Sequence, residues 1–291
     1  MKRAILTGAT GAVGTALIKT LIENDIEVLI FCRKGSTRNN NLPKNHLITK
    51  VYCDLSQLKI IQNETGKEWD IFYHLAWDGT TGDARNDMYL QNLNVKYALE
   101  AVEAAHRFGC KKFVGVGSQA EYGRIEGMLE PNTPAFPETG YGIAKLCAYQ
   151  MTRELTYQIG MKYNWVRILS VYGPNDGAQS MVMSTINKLR NNEIPQFTKG
   201  EQMWDYLYSD DAGRAFRLVG EKGVDRKVYV LGSGKARPLV EYIEDIRNIV
   251  KPKGKPTLAP KGDKRPPYQK DTTPQEDFGG ENQYKEEEKT C

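Results

Sequence analysis

The sequence contains no apolar run approaching the roughly 18–20 residues that cross a bilayer, so no membrane-spanning segment is expected. It has no CxxC pair. Cys32, Cys53, Cys110, Cys147 and Cys291 stand far apart, which argues against a zinc or dithiol site, and no metal is expected. Three of these cysteines lie in apolar stretches and read as reduced core thiols of a cytoplasmic protein. A catalytic thiol would need an activating neighbour, and the sequence around each cysteine offers none. Charge of one sign is not in excess. With 40 basic and 36 acidic side chains the formal charge is +4, and no basic stripe suggests nucleic acid as a partner. MKRAILTG enters a strand-like run at once, so no signal peptide is expected. There is no internal repeat. What remains is a chain of 291 residues, 40% apolar and 26% charged, able to build a globular core as one large domain or two smaller ones.

Strand and helix patterns alternate. Apolar runs at 4–8, 27–32, 46–53, 70–77, 111–118 and 163–173 read as strands. Helical spacing of apolar residues fills 12–24, 87–108 and 141–159. Strands separated by helices imply a parallel sheet of the doubly wound α/β kind, with ligands at the carboxyl ends of the strands. Beyond about residue 174 the pattern is less regular, with a helix near 180–191 and the stretch WDYLYSDDAGRAFRLVG at 204–220. Residues 251–291 carry six prolines, nine basic and eight acidic side chains, and are expected to be weakly ordered, solvated chain.

TGATGAVG, residues 7–14, falls where the first strand meets the first helix. Gly8 permits a tight turn, Gly11 lets backbone approach a pyrophosphate, and Gly14 lets the helix pack close to the strand. The helix N-terminus then presents free N–H groups to the phosphates. A dinucleotide is therefore the expected ligand. A protein selective for NAD places a carboxylate at the tip of the second strand, on the ribose 2′-hydroxyl. Here the tip reads Cys32, Arg33, Lys34, with Arg38 close behind. Guanidinium groups at that point suit a 2′-phosphate, so NADP(H) is expected over NAD(H). The plainer alternative is a solvated basic turn. Asp54 and Leu55, just past the third strand, are placed to border the adenine.

TGYGIAK sets Tyr141 and Lys145 one helical turn apart on one face. Spacing alone makes this an ordinary helical pair more often than a catalytic one. Its company changes that. TGATGAVG, the DL at 54–55, HLAW at 74–77, the asparagine of NLNV, VGSQAEYG, YGIAK, RILSVYGP and WDYLYSDDAGRA run from residue 7 to about 215. In this order they resemble the extended short-chain dehydrogenase/reductase family of nucleotide-sugar epimerases, dehydratases and reductases.

The resemblance implies a Rossmann domain over 1–174 carrying the Tyr-Lys helix. It implies a smaller α/β substrate-binding region over 175–250, interleaved with the first, and a tail over 251–291 atypical of the family. It makes Tyr141 the catalytic acid/base and Lys145 the residue that holds the nicotinamide ribose and lowers the phenol's pKa. Ser118 would bind the reacting oxygen, and Asn94 would support the site and a water. Thr10, Ala12, Val13, Leu75 and Ala76 would join the glycines around the cofactor. Gln119, Ser170 and Trp204 would face substrate. Relatives commonly dimerise through the helices at about 87–108 and 141–159, so a homodimer is expected.

Departures from the family pattern narrow the reaction. Dehydratases carry an Asp-Glu pair after the active-site hydroxyl, where this chain has Gln119 and Ala120, so 4,6-dehydration is not expected. Glu121 is one position along and would point elsewhere. Trp204 stands where relatives often have an arginine that reaches the nucleotide diphosphate; Arg214 or Arg237 are candidate substitutes. The expected activity is NADP(H)-dependent reduction of a 4-keto-6-deoxyhexose nucleotide. A nucleotide-sugar C4-epimerase is the alternative, and a non-catalytic NADP-binding sensor or scaffold a third.

Overall fold

The structure, a computed structural model, describes residues 1–125 and 127–251 together with the backbone of Ala259–Pro260. In chain order its elements begin with β1 (Arg3–Thr7), α1 (Ala12–Ile22), β2 (Glu27–Cys32), β3 (Ile48–Tyr52) and β4 (Ile71–His74). Then follow α2 (Met88–Arg107), β5 (Lys112–Ser118), α3 (Gly140–Gln158), β6 (Lys162–Ile168) and β7 (Ser170–Tyr172). The remaining elements are α4 (Met181–Arg190), β8 (Gln196–Phe197), β9 (Met203–Trp204), β10 (Tyr206–Tyr208), α5 (Ser209–Lys222), β11 (Val228–Leu231), β12 (Arg237–Pro238), α6 (Leu239–Val250) and β13 (Ala259–Pro260).

The main sheet is parallel, with seven strands in the order β11-β6-β5-β4-β1-β2-β3. Both faces are covered, which is why the strands read as continuous apolar runs. Successive residues nonetheless divide between two cores. Ile5, Leu29, Phe72 and Phe113 point to the layer of α2 and α3. Ala4, Leu6, Val28, Ile30, Tyr73 and Val114 point to the layer of α1 and α5. This period of two is the pleat of a strand expressed on a sheet buried twice.

The expected doubly wound Rossmann fold is present, with three differences of detail. A seventh strand, β11, comes from the region after residue 174 and pairs with β6 through Val228↔Trp165 to Leu231↔Ile168. Its short run VYVL is flanked by charged residues and carries no helix-strand rhythm of its own. The run at 163–173 is split at Leu169 into β6 and β7, and β7 leaves the main sheet to pair with β10. The stretch 204–220, which carries no assigned element in the sequence pattern, divides into short strands at Trp204 and Tyr206–Tyr208 and the helix α5 from Ser209. The tail expected over 251–291 lies outside the described residues except for Lys251 and the backbone of β13, which pairs with β8.

The chain order reverses direction in the sheet between β1 and β4, where a crevice opens at the carboxyl edge. Gly8 sits in it at φ 69°, and a Cβ there would stand 2.6 Å from the backbone of Leu75 and Ala76. Only glycine allows the β1 and β4 exits to approach so closely.

Candidate active site

The phosphate cradle is built by α1. Gly11 is its N-cap, with no side-chain cap bond and no acidic residue in the first turn. The leading N–H groups therefore stay open to an anion. A Cβ on Gly11 would meet nothing closer than 3.7 Å, and the atom it meets is Arg38 Nη2. A Cβ on Gly14 would collide with Gly8 O at 2.3 Å. The two glycines thus differ in purpose: Gly14 packs helix against loop, and Gly11 leaves the cradle bare.

A cavity of about 240 Å³ extends from this cradle. Of the residues expected around the cofactor, Gly8, Thr10, Gly11, Arg33, Arg38, Asp54, Leu55, Leu75 and Ala76 line it. Ala12, Val13, Gly14, Tyr141 and Lys145 do not; the first three form the first turn of α1, and the last two lie on α3. Asp54 caps the turn at Leu55–Gln57, accepting from Ser56 N while its own N–H donates to Gln57. The sequence reading missed Ser36, Asn39, Trp77 and Asp78, which also line the cavity. Asn39 Nδ2 donates to Arg33 O, while its Oδ1 is buried without a partner. An open helix N-terminus, a bare glycine, two arginines and an unpartnered polar atom fit a dinucleotide phosphate and ribose.

Tyr141 and Lys145 lie at the start of α3, whose N-cap Thr139 accepts from Gly142 N. Both side chains are buried, at 8% and 3% exposure. Burial pushes the Tyr141 phenol up; the Ser118 hydroxyl and the Arg85 cation pull it down, and the Glu121 carboxylate pushes it up. The Lys145 ammonium donates to Val116 O at 2.7 Å and lies 3.8 Å from the centre of the Trp77 ring. Burial lowers its pKa to about 7, against the opposing pull of Glu121. The expectation that Lys145 supplies the charge that tunes Tyr141 therefore differs from this geometry. Its ammonium is turned to a carbonyl, 5.8 Å from the Tyr141 ring centre, whereas the Arg85 guanidinium carbon stands 4.4 Å away. Arg85 and Trp77 were missed as site residues. Trp77 was visible in HLAW; Arg85 carried no local signal.

Ser118 ends β5. Its N–H donates to Glu121 Oε1 at 2.8 Å, and its Oγ accepts from Ala120 N. The Glu121 carboxylate turns into the interior, where it is 0% exposed and close enough to act on Tyr141 and Lys145. There it accepts from Trp165 Nε1 and pairs with Arg167 Nε at 2.7 Å. Gly115 and Gly117 make room for the Trp165 ring, which a Cβ at either would strike within 2.3 Å. Asn94, almost fully buried, binds Asp78 through both backbone groups, Oδ1 to its N–H and Nδ2 to its carbonyl. It fastens the loop after β4. Gln119 is half-buried beside Ser118. Ser170 lies two residues beyond Ile168, the register partner of Ser118, and accepts from Trp204 Nε1 at 2.8 Å. Arg237 pairs with Asp245 and Glu241, and Arg214 with Asp211, so neither candidate substitute for the missing arginine is without a carboxylate.

The model of the NAD dependent epimerase/dehydratase family matches residues 4–232. The chain belongs to this family. It is a nucleotide-sugar epimerase/dehydratase-family enzyme of Rossmann-like fold. Among similar proteins is the dTDP-6-deoxy-L-talose 4-dehydrogenase (NAD(+)) of Aggregatibacter actinomycetemcomitans, 24% identical, with 86% of this chain and 92% of that protein covered. The UDP-glucose 4-epimerase of Thermotoga maritima, solved with UDP-glucose, has a TM-score of 0.77 at 24% identity, covering 90% of this chain and 87% of that one. The UDP-glucuronic acid 4-epimerase of Bacillus cereus, in complex with NAD, has a TM-score of 0.75 at 20% identity, covering 85% and 83%. At these identities the structural likeness is one of fold. Among the described residues of this family member, no helix is long and apolar enough to cross a membrane.

Proposed function

We propose that this epimerase/dehydratase-family enzyme is an NADP(H)-dependent reductase of a 4-keto-6-deoxyhexose nucleotide. The observation that carries the reading is the basic rim of the cavity at the end of β2. Cys32, Arg33 and Lys34 stand where a carboxylate would select NAD, and Arg33 and Arg38 both line the cavity. An enzyme that spends NADPH once per turnover differs in this respect from one that recycles a retained NAD.

In this reading the cofactor supplies a hydride to the carbonyl carbon of the sugar. The chain supplies the rest. Tyr141 gives its proton to the carbonyl oxygen, Ser118 orients that oxygen, and Lys145 holds the nicotinamide ribose. Asn94 keeps the loop after β4 in place, and Ser170, Gln119 and Trp204 meet the substrate. Gln119 and Ala120 carry no acid or base for elimination, which favours reduction over 4,6-dehydration.

The active form is a cytoplasmic homodimer. Buried free Cys32, Cys53 and Cys110 suit a reducing compartment. Tyr89 and Leu93 on α2, with Ile143 and Met151 on α3, present exposed apolar side chains at helical spacing on two packed neighbours.

The test incubates candidate 4-keto-6-deoxyhexose nucleotides with NADPH and follows loss of nicotinamide absorbance. NADPH should bind at least about tenfold more tightly than NADH, and Arg33→Ala with Arg38→Ala should remove that preference. Equal affinities in the unmutated protein overturn the cofactor reading. Interconversion of sugar epimers with no net NADPH loss supports the C4-epimerase instead. That second reading draws on the 4-epimerases among the similar structures.

A further inference from the structure

We propose that Arg85 is a positioning residue that acts through Tyr141: the fixed cation that faces the negative charge left on Tyr141 when its proton passes to the substrate oxygen. The inference rests on the reductase reading and adds a residue to it.

The groups that face Tyr141 are few. Ser118 comes from the end of β5, Glu121 from the turn after it, Trp77 and Arg85 from the loop after β4, and Lys145 from α3 itself. The Glu121 carboxylate opposes a phenolate. Lys145 is turned to Val116 O, 5.8 Å from the Tyr141 ring centre, and burial disfavours its charge. A guanidinium keeps its charge. Arg85 lies 4.4 Å from the Tyr141 ring centre and is half-buried. Its Nη1 donates to Thr80 O at 2.9 Å, and among the described residues no carboxylate pairs with it. A cation over an aromatic face is attracted to the ring, and more strongly once the ring bears a phenolate.

Its placement is built. Gln91, 1% exposed, donates from Nε2 to Gly79 O and Ala84 O and accepts from Trp77 Nε1. Asn94 holds Asp78 by two hydrogen bonds, and Asn86 Oδ1 accepts from Gly140 N at the start of α3. Arg85 thus stands between two anchored residues, Ala84 and Asn86, and its loop is tied to the helix that carries the tyrosine. Such preorganised charge stabilises an oxyanion without reorganising as the reaction proceeds. In the step itself, a hydrogen and two electrons arrive at the carbonyl carbon from the dihydronicotinamide. The carbonyl π pair moves to oxygen, and that oxygen takes the Tyr141 proton. The O–H electron pair stays on Tyr141, opposite Arg85, until solvent returns a proton.

The test labels the full chain with [ζ-13C]tyrosine and assigns Tyr141 as the resonance that Tyr141→Phe removes. Its titration is followed from about pH 7 to about pH 12.5 in the unmutated protein, Arg85→Gln and Arg85→Lys, a step that leaves the top of this range counting as moved up. In Arg85→Gln the Tyr141 step should move up by about one pH unit or more, and lysine should restore most of it. With a keto-sugar nucleotide, kcat of Arg85→Gln should fall about 10- to 1000-fold while NADPH affinity holds. In the Tyr141→Phe background the same change should cost under about threefold, because the two act as one unit. Alike titration in the unmutated protein and Arg85→Gln, or rate losses that multiply, would overturn the proposal. The titration needs no substrate, so its failure strikes Arg85 alone. A shifted step without NADPH oxidation supports the charge contact and strikes the reductase reading.

Discussion

Tyr141 is an acid that its surroundings make reluctant. Burial raises its pKa, and the Ser118 hydroxyl and Arg85 only partly offset that. Bound substrate can accept its proton directly in a site with little water. Tyr141→Phe keeps the ring's volume and should leave NADPH binding intact, while turnover falls by about 10²- to 10⁴-fold in a steady-state assay. A variant that turns over at nearly the normal rate would return the Tyr-Lys spacing to coincidence. His74 makes a different prediction. Its Nδ1 pairs with Thr7 Oγ1 at 2.9 Å, its Nε2 is buried without a partner, and burial lowers its pKa to about 3 from 6.5. Between those values the unfolded chain binds the extra proton and the folded one does not. Stability therefore falls as pH drops from 6.5 towards 3, by an amount on the order of a few kcal/mol. Chemical denaturation across this window should show a shallower decline for His74→Asn than for the unmutated protein.

At the scale of elements, the site depends on how α1 and α3 start. The α1 N-terminus was legible because glycine has positional meaning: Gly8 at φ 69° and Gly14 against Gly8 O cannot carry a side chain without displacing backbone. Gly11 is different, with φ −86° and only ordinary contacts for an added Cβ, at 3.7 Å from Arg38 Nη2 and 3.8 Å from Gly8 O. Gly14→Ala should destabilise the fold by roughly 1–3 kcal/mol, read as a lower melting temperature. Gly11→Ala should melt close to the unmutated protein yet bind NADPH at least about tenfold more weakly, read by fluorescence titration. Equal loss of stability in both would mean that Gly11 is a packing residue after all. The start of α3 was legible in TGYGIAK, where Thr139 caps the helix and Tyr141 and Lys145 share a face. The direction of the Lys145 ammonium was not, since Val116 and Trp77 reach it from other elements.

For the whole molecule, the outer faces of α2 and α3 carry the prediction. Tyr89, 91% exposed, and Leu93, Ile143 and Met151 are apolar side chains exposed on two packed helices, which a partner copy would cover. Leu93→Glu combined with Ile143→Glu should convert a dimer to a monomer in sedimentation velocity, with NADPH binding retained because neither residue lines the cofactor cavity. A monomeric unmutated protein at micromolar concentration would remove the basis for the dimer. The region after residue 174 shows how the parts of the chain interlock. β11 extends the main sheet beside β6, and Gly213 of α5 packs so close to α1 that a Cβ would stand 2.6 Å from Ala16 backbone.

The doubly wound fold, the glycine cradle, the basic tip of β2 and the Tyr141–Lys145 spacing were readable in the chain before it folded. Each is written in neighbouring residues, through strand and helix periodicity, glycine's backbone freedom and one-turn geometry. The rest followed from contacts between distant segments. Arg85 meets Tyr141 across more than fifty positions because Gln91, Asn94 and Asn86 fold the loop after β4 onto α3. Glu121 became a buried ion-pair partner because Trp165 and Arg167 arrive from β6 to receive it. β11 became a strand because β6 exposed an edge. These outcomes depend on which surfaces meet once the sheet has formed, and packing between distant segments leaves no periodic trace in either one.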